Sequence, residues 1–373
     1  MAVIGTLRDA WARLRNRLLA DPRFQQAAAG FPLTRPISRA RSRQLFDILA
    51  GFTYSQVLYT CIRIGLIDML AVRPLTTSAI AARAGWPEQR LARLLKAATA
   101  LDLIETTSSG AHTLGIHGAA LAGNPWIARF VEHHHLLYAD LAYPLPLLRG
   151  EATRTSLQEF WGYAQSDAPQ SLESTAASAY TSLMAASQQA VAAEILASFD
   201  FRSHHHLVDV GGGNGSFIAA VAARHPHLSF TLFDLPAVAD IARQRFGRDG
   251  LNPRAEVREG SFLSDELPAG ADVMSLVRVI HDHDDDSVIT LLKAIRRALP
   301  PGGRLIVAEP LSGHRKTAPV ADAYFGLYFA AMGQGRTRTP SEIGALGKAS
   351  GFSAWRQQPT RMPLITGMVV LDA

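Results

Sequence analysis

The chain has 373 residues, more than one typical compact core, so two domains are expected. With 48% hydrophobic and 18% charged residues, its composition excludes a disordered chain. The formal net charge is +5, and the single cysteine, Cys61, excludes an intrachain disulfide and a cysteine-based zinc site, so the chain needs no oxidising compartment and is expected in the cytoplasm.

The positive charge is uneven. Arg8, Arg13, Arg15, Arg17, Arg23, Arg35, Arg39, Arg41 and Arg43 face only Asp9, Asp21 and Asp47 over the same stretch, so residues 1–44 read as a basic helical segment. Such a segment suits either an anionic membrane surface, which would make the protein peripheral on the inner face of the cytoplasmic membrane, or plain solvation. The opening MAVIGTLRDAWARLRNRLL lacks the apolar core and small-residue cleavage site of a signal peptide. From Leu45 to Leu70 the chain is apolar but interrupted by Asp47, Gln56, Arg63 and Asp68, short of the ~18 clean residues of a membrane span, so no segment is expected to cross a bilayer.

Residues 45–195 carry apolar residues at helical spacing. Leu75, Thr76 and Thr77 lead into a capped helix that ends at Gly85, PEQRLARLLKAATALDL reads as a second helix, and IETTSSGAHTLG as two short strands around a turn. Helix, helix and small β wing make a winged helix. That motif permits DNA binding, but Arg90, Arg93 and Lys96 are interleaved with Glu88 and Asp102, a weak basic face. Dimerisation is the better reading, with no nucleic acid as partner.

Residues 196–373 change rhythm. HLVDV, LSFTLFD, AEVREG, DVMSLVRVI and RLIVAEP alternate with helical patterns beginning near Ser216, Pro236, Asp285 and Pro340, and MPLITGMVVLDA suits an added edge strand. This alternation predicts an α/β fold, a mostly parallel Rossmann-like sheet with helices on both faces.

The first strand of that sheet runs into DVGGGNGSF, a glycine turn where ligands bind in such sheets. Gly211, Gly213 and Gly215 are the candidate cradle, since glycine admits positive φ and close backbone approach. The spacing is GxGxG after Asp209 rather than the GxGxxG of a nicotinamide site, which speaks against an oxidoreductase. Asp234, ending the next strand, can either accept both ribose hydroxyls or cap the helix before Pro236.

In order and spacing, DVGGGNG, FDLP, VIHDHDDD, PGGRLIVAEP and RTRTPSEIGALGKASGF resemble the class I O-methyltransferases, which include the caffeate, hydroxyindole, polyketide and phenazine enzymes. IRIGLIDML and LARLLKAATALDLIE extend the likeness through an N-terminal dimerisation domain, so that it covers the chain from about residue 45 to the end. FPLTRPI, LFDILAGFTYSQVLYTCIRIGL and VEHHHLLYADLAYPLPLLRG are similar to the bacterial hydroxyneurosporene (demethylspheroidene) O-methyltransferases, which methylate the tertiary 1-hydroxyl of acyclic carotenoids. The resemblance implies S-adenosyl-L-methionine as cofactor, a homodimer, and a hydrophobic hydroxylated substrate, with a phenolic or polyketide substrate as the alternative.

An alcohol is a poor nucleophile until its proton is being removed, and His281, at the end of DVMSLVRVI, can act as a base near neutral pH. The resemblance implies that this histidine is the general base and that Glu309 orients it. It also places Ser261, Phe262 and Arg278 with Asp209, the glycines and Asp234 around the cofactor. Ser261 stands where the family usually has an aspartate near the adenine, Thr337 where many plant members carry a second glutamate, and His283 where a tryptophan is usual. Asp282 is expected in a structural or cofactor-edge role, with Asp284, Asp285 and Asp286 capping the next helix.

Trp161, Tyr180, Met184, Phe325, Tyr328, Phe329 and Met332 supply apolar surface for a long hydrocarbon. No metal is expected: neighbouring side chains in the 281–284, 133–135 and 204–206 clusters diverge, and the histidine runs are expected at the surface or in caps. A winged-helix regulator that binds a ligand without turnover is the rival of another class, and His281 with Glu309 speaks against it.

Overall fold

The computed structural model describes residues 2–151, 154–161, 187–313, 317 and 319–373. They form two compact units, Met1–Gly123 and Asn124–Ala373. Residues 124–151, expected to go with the preceding helices, belong to the unit that contains the sheet.

The first unit runs α1 (Ala2–Ala20), α2 (Pro22–Gly30), α3 (Arg35–Arg63), α4 (Leu66–Val72), α5 (Thr77–Ala84), α6 (Glu88–Ala100), β1 (Ile104–Thr106), β2 (His112–Leu114) and α7 (Ile116–Ala122). Its boundaries follow local chemistry. The Thr76 hydroxyl accepts the Ala79 amide at 3.3 Å to start α5, and Gly85 ends it in the left-handed conformation at φ +69°. β1 and β2 pair antiparallel with Ile104 opposite Leu114, forming the expected wing. Cys61, Leu66, Leu70, Ile80, Leu91 and Leu95 make one buried core. Burial pushes the Cys61 thiol up to about 12, so it packs as a small apolar group.

α3 takes up most of the apolar stretch that begins at Leu45 and, by length and composition alone, is long and apolar enough to cross a membrane, a test that the core helix of a globular protein also passes. Between Arg43 and Arg63 only Asp47 is charged.

The second unit begins with α8 (Pro125–Asp140), α9 (Pro144–Leu148) and α10 (Ser156–Phe160), followed after the undescribed stretch by α11, residues 187–198. The Asp140 carboxylate accepts the first amides of α10, from Ser156 at 2.7 Å and Leu157 at 2.9 Å. Then come β3 (His206–Val210), α12 (Ser216–Arg224), β4 (Ser229–Asp234), α13 (Pro236–Arg248), β5 (Ala255–Glu259), β6 (Val273–Val277), α14 (Asp285–Ala298), β7 (Arg304–Glu309), α15 (Phe325–Met332), α16 (Pro340–Ala349), β8 (Ala354–Gln358) and β9 (Gly367–Asp372).

The sheet order is β5-β4-β3-β6-β7-β9-β8, parallel from β5 to β7 and antiparallel at β9 and β8. Alternation along β3 sends Leu207 toward Phe217 and Phe246 on one face, and Val208 toward Leu291 and Ile295 on the other. Both faces are therefore covered, as expected for a doubly wound sheet. The late apolar run is not the edge: β9 is buried and lies between β7 and β8, and the polar AWRQQ of β8 forms the edge. Two buried faces demand the unbroken MVVL, whereas an edge strand tolerates Arg356 and Gln357.

A β-carbon on Gly344 would meet the Trp355 indole 2.2–2.4 Å away, so Gly344→Ala should lower unfolding free energy by about 1–3 kcal/mol; a urea titration checks it.

Candidate active site

β3 is the strand at which the order reverses, with β4 on one side and β6 on the other, and ligands in such sheets lie off the carboxyl ends of these strands. The loop after β3 is built from left-handed glycines, Gly211 at φ +69°, Gly213 at φ +60° and Gly215 at φ +75°. A β-carbon on Gly215 would sit 2.4 Å from the Phe246 ring, whereas on Gly213 it would meet no atom within 4 Å. Gly215 thus serves packing, and Gly213 offers open backbone to a ligand.

Asp234 holds the loop, accepting the amides of Gly213 and Leu235, each at 2.7 Å. Desolvation pushes its carboxyl up to about 6, against the pull of those two amides. Asp209, buried beneath the loop, accepts the Ser275 hydroxyl at 2.6 Å with one oxygen, and its Oδ2 has no hydrogen-bond partner among the described residues. Burial raises it to about 7. A buried unsatisfied carboxylate oxygen beside an open glycine cradle is suited to a polar ligand with cationic groups, which fits an aminoacyl sulfonium such as S-adenosylmethionine.

Arg278 follows β6 in the left-handed region at φ +58°, unusual for a side chain of its size, and its guanidinium binds the Ser187 hydroxyl at 2.7 Å and the Gln188 side-chain oxygen on α11. Ser261 and Phe262 follow β5. The Gly260 amide before them donates to the Asp234 carbonyl at 2.9 Å, and the Phe262 ring lies edge-on to His283 at 5.2 Å. Asp209, Gly211, Gly213, Gly215, Asp234, Ser261, Phe262 and Arg278 are thus all brought to the carboxyl edge.

His281 sits in a 3₁₀ turn, Ile280–Asp282, just beyond β6, and β7 runs parallel beside β6, so the strand ends meet. Its Nδ1 contacts Glu309 Oε2, while Glu309 Oε1 accepts the amides of Val279 and Ile280, both at 2.9 Å. One carboxylate therefore fixes both the turn and the ring. The other nitrogen, Nε2, lies 3.2 Å from Asp282 Oδ1. Burial works to lower the imidazole pKa, but Glu309 and then Asp282 outweigh it and push it up to about 10. Of the following acids, Asp284 caps α14 by accepting the Ser287 amide at 2.8 Å, and Asp285 instead pairs with arginines.

An aromatic wall stands over the histidine. Phe329 lies 5.2 Å from the His281 ring, and Phe325 stacks on Phe329 at 5.7 Å. Behind them Trp161 Nε1 donates to the Tyr328 hydroxyl at 2.9 Å, and Met332 packs in the same buried cluster. Tyr180 and Met184 lie outside the described residues. Two histidine runs differ from expectation. His133 is buried with Nε2 2.8 Å from the Tyr328 hydroxyl, and His134 stands 2.8 Å from the Tyr324 hydroxyl, because α8 packs that face on α15. His204 is buried against Phe199 and lies 3.3 Å from Asp272, whose carboxylate also accepts the backbone amides of His205 and His206. No group of three or more metal-ligating side chains occurs among the described residues.

Sequence reasoning missed the segment 335–339. The Arg336 amide donates to the His281 carbonyl at 2.9 Å, and a β-carbon on Gly335, at φ +85°, would be 2.2 Å from that same oxygen. Buried Arg338 donates to the carbonyls of Ile280 at 2.6 Å and His283 at 2.8 Å and pairs with Asp285 at 2.7 Å. The RTRT run drew notice for the carboxylate absent at Thr337; its arginines grip the turn from the outside.

The O-methyltransferase domain family matches residues 149–353, and the O-methyltransferase dimerisation domain family matches residues 46–117. The chain is 41% identical to the demethylspheroidene O-methyltransferase of Cereibacter sphaeroides over 358 residues, 96% of this chain and 94% of that one. With the enzyme of the same name from Rhodobacter capsulatus the identity is 38% over 354 residues, 95% of this chain and 88% of that one. Among solved structures it is similar to CalO1, a methyltransferase in calicheamicin biosynthesis in its SAH-bound form, with a TM-score of 0.74, 26% identity, and coverage of 90% of this chain and 98% of that one.

Arg338→Gln leaves the buried carbonyls around His281 short of donors and should lower unfolding free energy by about 2–3 kcal/mol, read from the urea midpoint.

Proposed function

Because this chain belongs to the O-methyltransferase family, with its O-methyltransferase and dimerisation domains, we propose that it methylates the tertiary 1-hydroxyl of an acyclic carotenoid of the hydroxyneurosporene or demethylspheroidene type. The observation that carries the substrate is identity of 41% and 38% along almost the whole chain with two demethylspheroidene O-methyltransferases. The wall of Phe325, Phe329, Trp161 and Met332 is apolar enough for a polyene.

Bound S-adenosyl-L-methionine supplies the electrophilic methyl group. Asp209, Asp234, Arg278, Ser261, Phe262 and the Gly211, Gly213 and Gly215 loop would hold it. His281 in its neutral form takes the hydroxyl proton on Nε2, and Glu309 keeps the Nδ1 proton and the ring orientation. The buried setting keeps water from competing for the methyl group.

A homodimer through the dimerisation domain, on the cytoplasmic face of the membrane, completes the reading. Trp11, Leu14 and Leu18 lie exposed along one face of α1 at spacings of one and two turns, with Arg8, Arg15 and Arg17 around them. An apolar stripe with arginine flanks is the composition of a helix that lies in an anionic interface, where a carotenoid resides.

Incubation with S-adenosylmethionine and 1-hydroxyneurosporene should give a product heavier by one methylene together with S-adenosylhomocysteine. His281→Ala should keep cofactor affinity and lose ~10²-fold or more in rate. Cofactor binding without a methyl ether would reject the carotenoid and move the substrate to phenols; full turnover by the variant would reject the base. Deleting residues 1–40 should release the protein from anionic vesicles, and persistent binding would exclude that segment as the anchor.

A further inference from the structure

A tertiary alcohol is a far weaker acid than a phenol, so a base that serves it must hold the transferred proton more firmly. Thr337, where many plant members of the family are expected to carry a second glutamate, has no charge to lend. A second carboxylate nevertheless reaches the imidazole, from the residue next to it. Asp282 Oδ1 is 3.2 Å from Nε2 of His281, the nitrogen opposite the one that contacts Glu309. Both acids are buried, as is the ring.

We infer that Asp282 is the second carboxylate of the base: placed on Nε2, it stabilises the imidazolium formed when the alcohol gives up its proton, and so fits the site to a weakly acidic hydroxyl. This rests on the reading of His281 as the base. In the step, the O–H bond breaks with its proton going to Nε2, the oxygen pair forms the O–CH₃ bond, and the C–S pair leaves on sulfur. The developing cation on the ring then lies between two carboxyl groups, in a site where burial strengthens both attractions. Asp282 acts through His281, as a positioning residue.

The other groups around the ring do not substitute for it. Glu309, from β7, is committed to Nδ1 and to two backbone amides. His283, on the same turn, is held below its ordinary value chiefly by burial, and packs on Phe262. From the 335–339 segment, Arg336 reaches His281 through its backbone amide, while the Arg338 guanidinium is spent on Ile280, His283 and Asp285. From α15 the uncharged Phe329 ring faces the imidazole.

The two carboxylates favour the imidazolium, raising the pKa from 6.5 to about 10, so the neutral base, and with it the rate, grows as pH rises. The test is the pH dependence of kcat/KM, with cofactor affinity measured alongside, for the full-length protein, Asp282→Asn, Asp282→Glu and His281→Ala. Asp282→Asn should move the ascending limb down by about 1–3 pH units and lower the plateau about tenfold, with cofactor affinity kept, and Asp282→Glu should restore the limb. An unmoved limb in Asp282→Asn, with His281→Ala slowed ~10²-fold or more, overturns the role of Asp282 alone; full turnover by His281→Ala overturns the base itself. Should Asp282→Asn fail to fold, nitrogen NMR of the histidines in the unaltered protein decides. Nε2 of His281 still protonated at about pH 8 upholds the proposal, and titration at or below 6.5 overturns it.

Discussion

The site depends on one contact, that of Glu309 with His281. The two residues are far apart in the chain, and they meet because β6 and β7 are parallel neighbours whose carboxyl ends lie side by side. A buried carboxylate is costly unless its lone pairs are filled, and Glu309 fills them with the ring nitrogen and with the Val279 and Ile280 amides. The same three contacts that fill the lone pairs of the acid therefore set the path of the turn and the orientation of the imidazole.

The rest of the site follows from keeping that turn in place. Its remaining carbonyls are taken by the Arg336 amide and the Arg338 guanidinium, and Asp285 balances the charge that Arg338 brings into the interior. Phe329 lies over the ring from α15, with Phe325 stacked on it, and such apolar cover lowers the local dielectric. On the other side of the switch point, Asp234 ties the glycine loop to β4 with Gly213 open, and one oxygen of Asp209 has no hydrogen-bond partner among the described residues. Base and cradle are thus presented along one sheet edge by rigid strands.

The first unit obeys a different constraint. Leu45, Phe46, Ile48, Leu49 and Phe52 are exposed on α3 in the single chain, more contiguous apolar side chain than a monomer ordinarily leaves in water. All of these but Leu45 fall within residues 46–117, the stretch that matches the O-methyltransferase dimerisation domain family. The composition of α3 explains why it also passes as a membrane helix: both environments ask for a long apolar helix with few charges.

The strands and helices of both units were legible in the sequence because their signals are local. Two-residue alternation, the glycines of the loop, the Thr76 and Asp284 caps and the Pro-led helix starts each act within a few residues. Motif order was enough to bring Asp209, Asp234, His281 and Glu309 into one reading. Only the folded chain decided what depends on distant partners: that β9 lies inside the sheet, that His133 and His134 face Tyr328 and Tyr324, and that Arg338 braces the turn. None of these has a sequence period, since a hydrogen bond between residues far apart in the chain exists only after packing brings its two ends within about 3 Å.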